Sequence, residues 1–237
     1  MPSLARTLAG CVSALALTLL TAGCLPELDP PAVAGVAKTV QTLADRPYPK
    51  ARLRRIVRAA PLAPTDWGTG FRAVPGAADL PLFTENRRDQ KCRPIVRRLN
   101  PKLAEGYKRR VHRAGDRPVA AWTSLLARAD LVAARDQLAS AREGTRKCPD
   151  VRFGGSAFLG ERSTPMVTPA GVDELHAVEG TVQLPGLKKH PYVSVVLRRG
   201  RFVGMVWVQA WEIGLARAQA AAALPKLVAR LDRQLNG

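Results

Sequence analysis

Histidine and cysteine are scarce in this chain, three and four residues respectively out of 237. His112, His176 and His190 are scattered, and no two stand at the helical spacing of a zinc-protease motif. No cysteine has a second ligand at zinc-type spacing, so neither a metal nor a cofactor is expected. Glycine-rich dinucleotide and phosphate loops are absent, and Gly154-Gly155-Ser156-Ala157-Phe158 lacks the closing glycine of a nucleophile elbow. Asp173, Glu174 and Glu179 form a local acidic patch, yet together with Glu161 they define no general acid and base by spacing. These absences argue against an enzyme. Acidic residues are themselves few: 19 Asp and Glu face 37 Lys and Arg, a net charge of +18 that attracts polyanions. Aromatics make up only 5% of the chain, and the most basic stretch carries one, Tyr107. Stacking platforms for bases are missing there, so nucleic acid is not an expected partner.

Also missing is any apolar run of the about 20 residues that a membrane-spanning helix requires. The run at 8–20 is mostly Leu, Ala, Val, Ser and Thr; it follows a start whose single charge is Arg6 and gives way to Pro26, Glu27 and Asp29. Its length and composition are those of the apolar region of an export signal. Leu20-Thr21-Ala22-Gly23-Cys24 resembles the lipobox of bacterial lipoprotein signals, in which small residues suit the signal peptidase and the cysteine thiol receives a diacylglycerol. Thr21 stands where leucine is commoner. An ordinary cleaved signal and a short uncleaved anchor are the alternatives. On the lipoprotein reading, residues 1–23 are a signal peptide, 24–50 a lipidated tether punctuated by Pro26, Pro30, Pro31, Pro47 and Pro49, and 51–237 one folded domain. The domain then sits at the extracytoplasmic face of the cell membrane, partnered with that membrane through its lipid anchor.

Removing Cys11 with the signal and acylating Cys24 leaves Cys92 and Cys148. An even pair in an oxidising compartment reads as a disulfide, with two unpaired thiols as the alternative. A bridge over so long a loop stabilises by about 4 kcal/mol in the chain-entropy model. Basic residues concentrate between Arg87 and Arg113, where Arg87, Arg88, Lys91, Arg93, Arg97, Arg98, Lys102, Lys108, Arg109, Arg110 and Arg113 meet only Asp89 and Glu105. Arg52, Arg54, Arg55 and Arg58 form a smaller cluster. For an exported chain the available polyanions are lipid headgroups, wall polymers and acidic glycans; a merely solvated face is the plainer reading.

Local patterns predict an α+β domain: an antiparallel sheet packed with helices, behind an N-terminal tether. Helices are expected near 33–44 and 53–60, at 92–99 and 103–111 on either side of Asn100-Pro101, at 130–143, and at 215–235 with a kink or restart at Pro225. The helix at 130–143 has the clearest signal, with Leu131, Ala134, Leu138 and Ala141 on one face, Asp130 as cap and Gly144 as a left-handed exit. The stretch 64–81 is rich in Pro and Gly, and a short strand is expected at 71–74. Further strands are expected at 119–126, 151–159, 176–184, 192–199 and 202–211, with a hairpin at Arg199-Gly200-Arg201. The stretch 202–211 is apolar in both alternating sets, as in a central strand covered on both faces.

The order of these features is similar to that of the sensor-domain lipoproteins of actinobacteria, relatives of the extracellular sensor domain of PknH-type serine/threonine kinases. The resemblance spans roughly 52–237 and rests on the lipobox, the Pro-rich tether, Lys91-Cys92-Arg93-Pro94, Lys147-Cys148-Pro149, Gly160-Glu161-Arg162-Ser163 and Val195-Val196-Leu197-Arg198-Arg199-Gly200. Arg162 departs from the acidic residue usual in that turn, and no cysteines remain for the second disulfide that the kinase domains carry. The resemblance implies a sensor-like fold with a cleft and no catalysis. Tyr192, Trp207, Gln209 and Trp211 are candidates to line it, as an apolar concavity with a polar handle; a plainer alternative places these aromatics in the core under the C-terminal helix. Glu161 and Arg162 read as turn residues. The function expected is thus a lipid-anchored, sensor-like module binding an envelope component or a small-molecule ligand. A structural or interaction protein, docking its basic face to anionic wall polymers or a membrane partner, is the alternative. An envelope hydrolase ranks last. Metabolic labelling with a palmitate analogue should mark the wild type and spare Cys24→Ala; equal labelling of both would remove the lipoprotein reading.

Overall fold

The computed structural model describes residues 43–74, 79–81, 84–99, 104–153 and 155–237, with the backbone alone for 79–81 and 84–86. The chain from Val40 onward forms a compact unit of its own. After a 3₁₀ turn at Leu43–Asp45, helix α1 (Lys50–Ala59) is followed by a second 3₁₀ turn at Pro64–Trp67. Then come β1 (Arg72–Ala73), β2 (Asp79–Pro81), β3 (Thr84–Arg88), β4 (Pro94–Arg98), β5 (Glu105–Arg113) and β6 (Val119–Ala127). Helix α2 (Leu131–Lys147) leads to β7 (Val151–Phe153), β8 (Ser156–Ser163), β9 (Glu174–Gln183), β10 (Lys189–Arg199) and β11 (Phe202–Ala210), and helix α3 (Ile213–Asn236) closes the chain. Nine strands of the described residues form one antiparallel sheet, in the order β1, β5, β6, β11, β10, β9, β8, β7, with β2 also on β5; β3 and β4 form a separate hairpin. The α+β class and the antiparallel sheet expected from sequence are those observed.

The sheet has two differently covered faces. On one, Val193, Val195 and Leu197 of β10 and Val206, Val208 and Ala210 of β11 pack under Ala216, Ala220, Leu224 and Leu227 of α3. Here α1 joins with Leu53, Ile56 and Val57, against Leu125, Ala127 and Phe202. Burying each such Leu or Val side chain stabilises by about 1.5–3 kcal/mol, and this face is the main core. On the other face, Ala134 and Leu138 of α2 cover Val196 and Val203. β11 lies between β6 and β10, as its two apolar faces require, but only the Val203 end of its second face is under α2.

Several local expectations change. Residues 92–99 and 103–111 are not helices: β4 and β5 run through them, and residues 100–103 lie outside the described segments. Lys and Arg favour helix intrinsically, but β5 alternates its side chains between the two faces and pairs with β6 from Glu105↔Ala127 to Arg113↔Val119. Sheet burial therefore overrides propensity. α2 runs through Gly144 to Lys147, and the amide of Cys148 donates to the Gly144 carbonyl at 2.9 Å. Asp130 caps it as expected, accepting from the Ala133 amide at 2.7 Å. The stretch 151–159 holds parts of two strands, β7 and β8. α3 is continuous through Pro225, which lacks the amide hydrogen but keeps a place between buried Leu224 and Leu227. Most of the helix expected at 33–44 lies outside the described residues.

Gly200 turns the β10–β11 hairpin with φ of 54°, the left-handed region that suits glycine. A Cβ there would come within 2.5 Å of the Ala44 carbonyl, so the chain's entry segment packs directly on this turn. Replacing Gly200 with Ala should lower stability by about 2 kcal/mol or more, since strain and overlap act together; an unchanged denaturation midpoint would contradict this packing.

Candidate binding face

Register across the sheet gathers aromatic side chains that are far apart in sequence. Trp207 is the Cα partner of Trp122 on β6 and of Ser194 on β10, while Tyr192 partners Gln209. These positions share the face that carries α2, beyond the part it covers. Trp122 stacks on Trp207 with ring centroids 6.2 Å apart, Trp207 on Tyr192 at 6.0 Å, and Phe158 of β8 meets the Tyr192 ring edge-on at 5.7 Å. The row thus draws its rings from four strands and passes over a fifth, β9. Lys108 of β5 extends it, its ammonium 5.1 Å from the Trp122 ring centroid. Burial, and then the charge of Arg110, lowers the Lys108 pKa. Trp122, Trp207, Gln209 and Lys108 are half-buried, whereas Tyr192 is 1% exposed.

Three of the four proposed cleft residues, Tyr192, Trp207 and Gln209, are therefore together. Trp211 lies past the end of β11, 59% exposed, with its ring 6.4 Å from that of His190. None of the three forms core under α3, which occupies the opposite face. Trp122, Phe158 and Lys108 were not legible as members of the site, because only strand register brings them to Trp207. The alternation of Val119, Ala121, Thr123 and Leu125 against Trp122 was the one available signal.

Beneath Tyr192 lies a buried charge. Glu161 sits in the irregularity of β8 between Leu159 and Arg162, opposite Gly180, where a Cβ would be 2.9 Å from the Leu159 carbonyl and 3.2 Å from the Tyr192 ring. Glu161 is thus a buried position within β8 and not part of an exposed turn. It accepts hydrogen bonds from the Tyr192 hydroxyl and from the Arg88 guanidinium. Burial and the adjacent Glu161 carboxylate raise the Tyr192 pKa, which keeps the phenol a donor. Arg88 also donates to the carbonyls of Gly144, at 3.1 Å, and Cys148. It thereby satisfies the C-terminal carbonyls of α2, where a cation is favoured by the helix dipole. Cys92, in the β3–β4 turn, is bonded to Cys148 over a sequence separation of 56. The hairpin is thus fastened to the end of α2 by a covalent bond and a buried ion pair.

The basic stretch does not form one face. Lys108 and Arg110 lie with Trp122, while Arg109 donates to the Pro61 carbonyl at 3.0 Å and Arg113 covers the Phe71 ring at 5.3 Å on the other side of the sheet. Arg93 pairs with Asp89 at 2.7 Å, Arg88 points inward, and Lys91, Arg97 and Arg98 are exposed on the hairpin with Arg87 partly buried. On the α3 face, Glu179 is held by Arg162 at 2.5 Å and Arg217 at 2.6 Å. Arg162 accordingly works as the partner of a buried carboxylate. Among the described residues, no three His, Cys, Asp or Glu side chains gather into a metal-holding group.

No family model matches the chain, and no curated protein matches it. Among solved structures it is similar to the extracellular domain of PknH from Mycobacterium tuberculosis, at 12% identity and a TM-score of 0.46, covering 80% of this chain and 99% of that one. It is also similar to an Rv0999 ortholog from Mycobacterium smegmatis, at 8% identity and a TM-score of 0.40, with the same coverage of 80% and 99%. No helix of the described residues is long and apolar enough to cross a membrane.

Replacing Arg88 with Ala would strand the Glu161 carboxylate and uncap α2, and should cost roughly 3 kcal/mol. Arg93→Ala, which breaks an exposed pair, should cost less than about 1 kcal/mol. Equal losses in chemical denaturation would show that Arg88 is only a surface cation.

Proposed function

We propose that this chain is an exported, lipid-anchored protein whose folded domain binds a ligand without catalysis, in the manner of an extracellular sensor domain. The observation that carries the reading is the half-buried pair Trp122 and Trp207, backed by buried Tyr192 and flanked by Lys108 and Gln209. Half-buried indoles offer apolar area at little entropic cost, and a cation with an amide at the rim adds orientation. A ligand with a flat or apolar body and an anionic or carbonyl group fits that chemistry. The scaffold beneath is rigid: Tyr192 is fixed by Glu161 and the strands by the α3 core. A preorganised face of this kind loses little freedom on binding. The similarity to the PknH extracellular domain and the lipobox at Cys24 agree with this placement outside the cell.

Mass spectrometry of small molecules retained by the purified chain tests the binding claim. A molecule kept by the wild type and lost from Trp207→Ala, with the melting temperature little changed, is the expected result. Identical retention by both chains would exclude the aromatic row as the site.

A further inference from the structure

The aromatic row leaves unused the most cationic helix of the domain, which lies on the opposite side of the sheet. The sequence of α1, KARLRRIVRA, contains five basic residues and no acidic one. Leu53, Ile56 and Val57 are buried against Leu125, Ala127 and Phe202, so the packing of this helix is already satisfied from within. Its outer side exposes Lys50, Ala51, Arg54, Arg55 and Arg58, and the three arginines border a shallow concavity with Ala51 and Ala59. Among the described residues Glu105, itself buried, pairs with two of these cations, 3.1 Å from Arg54 and 3.8 Å from Lys50. One carboxylate against four outward cations leaves this surface strongly positive.

The chain leading into α1 bears on what such a surface meets. Residues 1–42, which include Cys24, precede Leu43. Leu43 is held beside α1: its carbonyl accepts from the Tyr48 hydroxyl at 2.7 Å, and the Arg52 guanidinium covers the Tyr48 ring at 4.7 Å. Leu43 therefore lies beside the N-terminal half of α1, the helix that carries these cations. We infer that the outer face of α1, through Lys50, Arg54, Arg55 and Arg58, docks on anionic phospholipid headgroups of the membrane that holds the acyl chain. The inference rests on the lipid-anchored reading for the nearness of that membrane. Clustered Lys and Arg next to an anchor are attracted to an anionic leaflet within about a Debye length, and they add a second contact to the acyl one. Docking through α1 also has a geometric consequence. The aromatic row lies across the sheet from α1 and is directed away from the membrane, toward ligands of the envelope.

The chain from Val40 to Gly237, the compact unit without Cys24, tests docking free of any acyl contribution. It should co-sediment with phosphatidylcholine vesicles containing phosphatidylglycerol and not with phosphatidylcholine alone, and the binding should fall steeply as salt shortens the Debye length. Arg55→Glu with Arg58→Glu should weaken it by about tenfold or more, and the neutral pair Arg55→Gln with Arg58→Gln by less. Lys188→Glu with Lys189→Glu makes the same charge change at the other end of the sheet and should alter binding less than about twofold. Matching melting temperatures establish that the variants are folded. Equal losses from the two reversed pairs, binding to neutral vesicles, or binding to soluble dextran sulfate but to no vesicle would each overturn the proposal, the last in favour of a wall-polymer surface. Palmitate labelling is independent of all these measurements. Labelled Cys24 with no vesicle binding rejects the docking alone, and vesicle binding without labelling rejects the anchor alone.

Discussion

A single carboxylate removed from water, Glu161, organises the half of the domain that the main core does not reach. A buried charge is tolerated only with a partner and with its hydrogen bonds filled. Arg88 supplies the counter-charge and the Tyr192 hydroxyl fills a further position, so the hairpin, the sheet and the end of α2 converge on one site. The irregularity of β8 brings Glu161 inward, and Gly180 leaves room for it. Removing Arg88 would leave an unpaired carboxylate inside, and the Cys92–Cys148 bond fastens the same hairpin to the end of α2. The covalent bond holds the hairpin near, and the ion pair sets its orientation.

The two faces of the sheet then take on different roles. One is closed by α3 and α1 over an aliphatic core, and its charged groups serve as clasps: Glu179 with Arg162 and Arg217, and Asp66 with Arg230 at 2.9 Å. The other is only partly covered by α2, and the row of rings beyond Val203 stays half-buried. Strand alternation is what makes this division possible, because neighbouring residues of one strand belong to opposite faces. Arg109 and Arg110 are adjacent in sequence yet lie on different sides of the sheet. A dense run of charge consequently becomes several separate structural contacts. The excess that remains outward is most concentrated on α1, whose helical period keeps Lys50, Arg54 and Arg58 on one side.

The elements that were legible share a property: their signal is local. Capping by Asp130, the four-residue spacing of Ala134 and Leu138, and the glycine of the Arg199-Gly200-Arg201 turn each depend on residues a few positions apart. Strands β9, β10 and β11 also lie close to their expected limits, since Val- and Ile-like alternation bounded by Gly and Pro is a local pattern. The elements misread as helices, β4 and β5, have the opposite character. Their Arg and Lys side chains favour helix in isolation, and the Lys108 ammonium and Arg113 guanidinium that cover Trp122 and Phe71 find those rings only through tertiary contact.

Short-range chemistry was sufficient to mark Cys92 and Cys148 as a pair, a central strand and the α+β class. Each follows from hydrophobic period, turn residues or residue counting, which need no knowledge of distant contacts. Register and burial decided the rest. Trp122 and Trp207 are separated by five elements and become neighbours because β6 pairs with β11; Glu161 becomes a buried acid because β8 departs from regular pairing at that point; the Gly144 carbonyl gains a second donor, Arg88, from a distant strand. The free energy behind each of these comes from desolvation and long-range partners, and a residue carries no local mark of either.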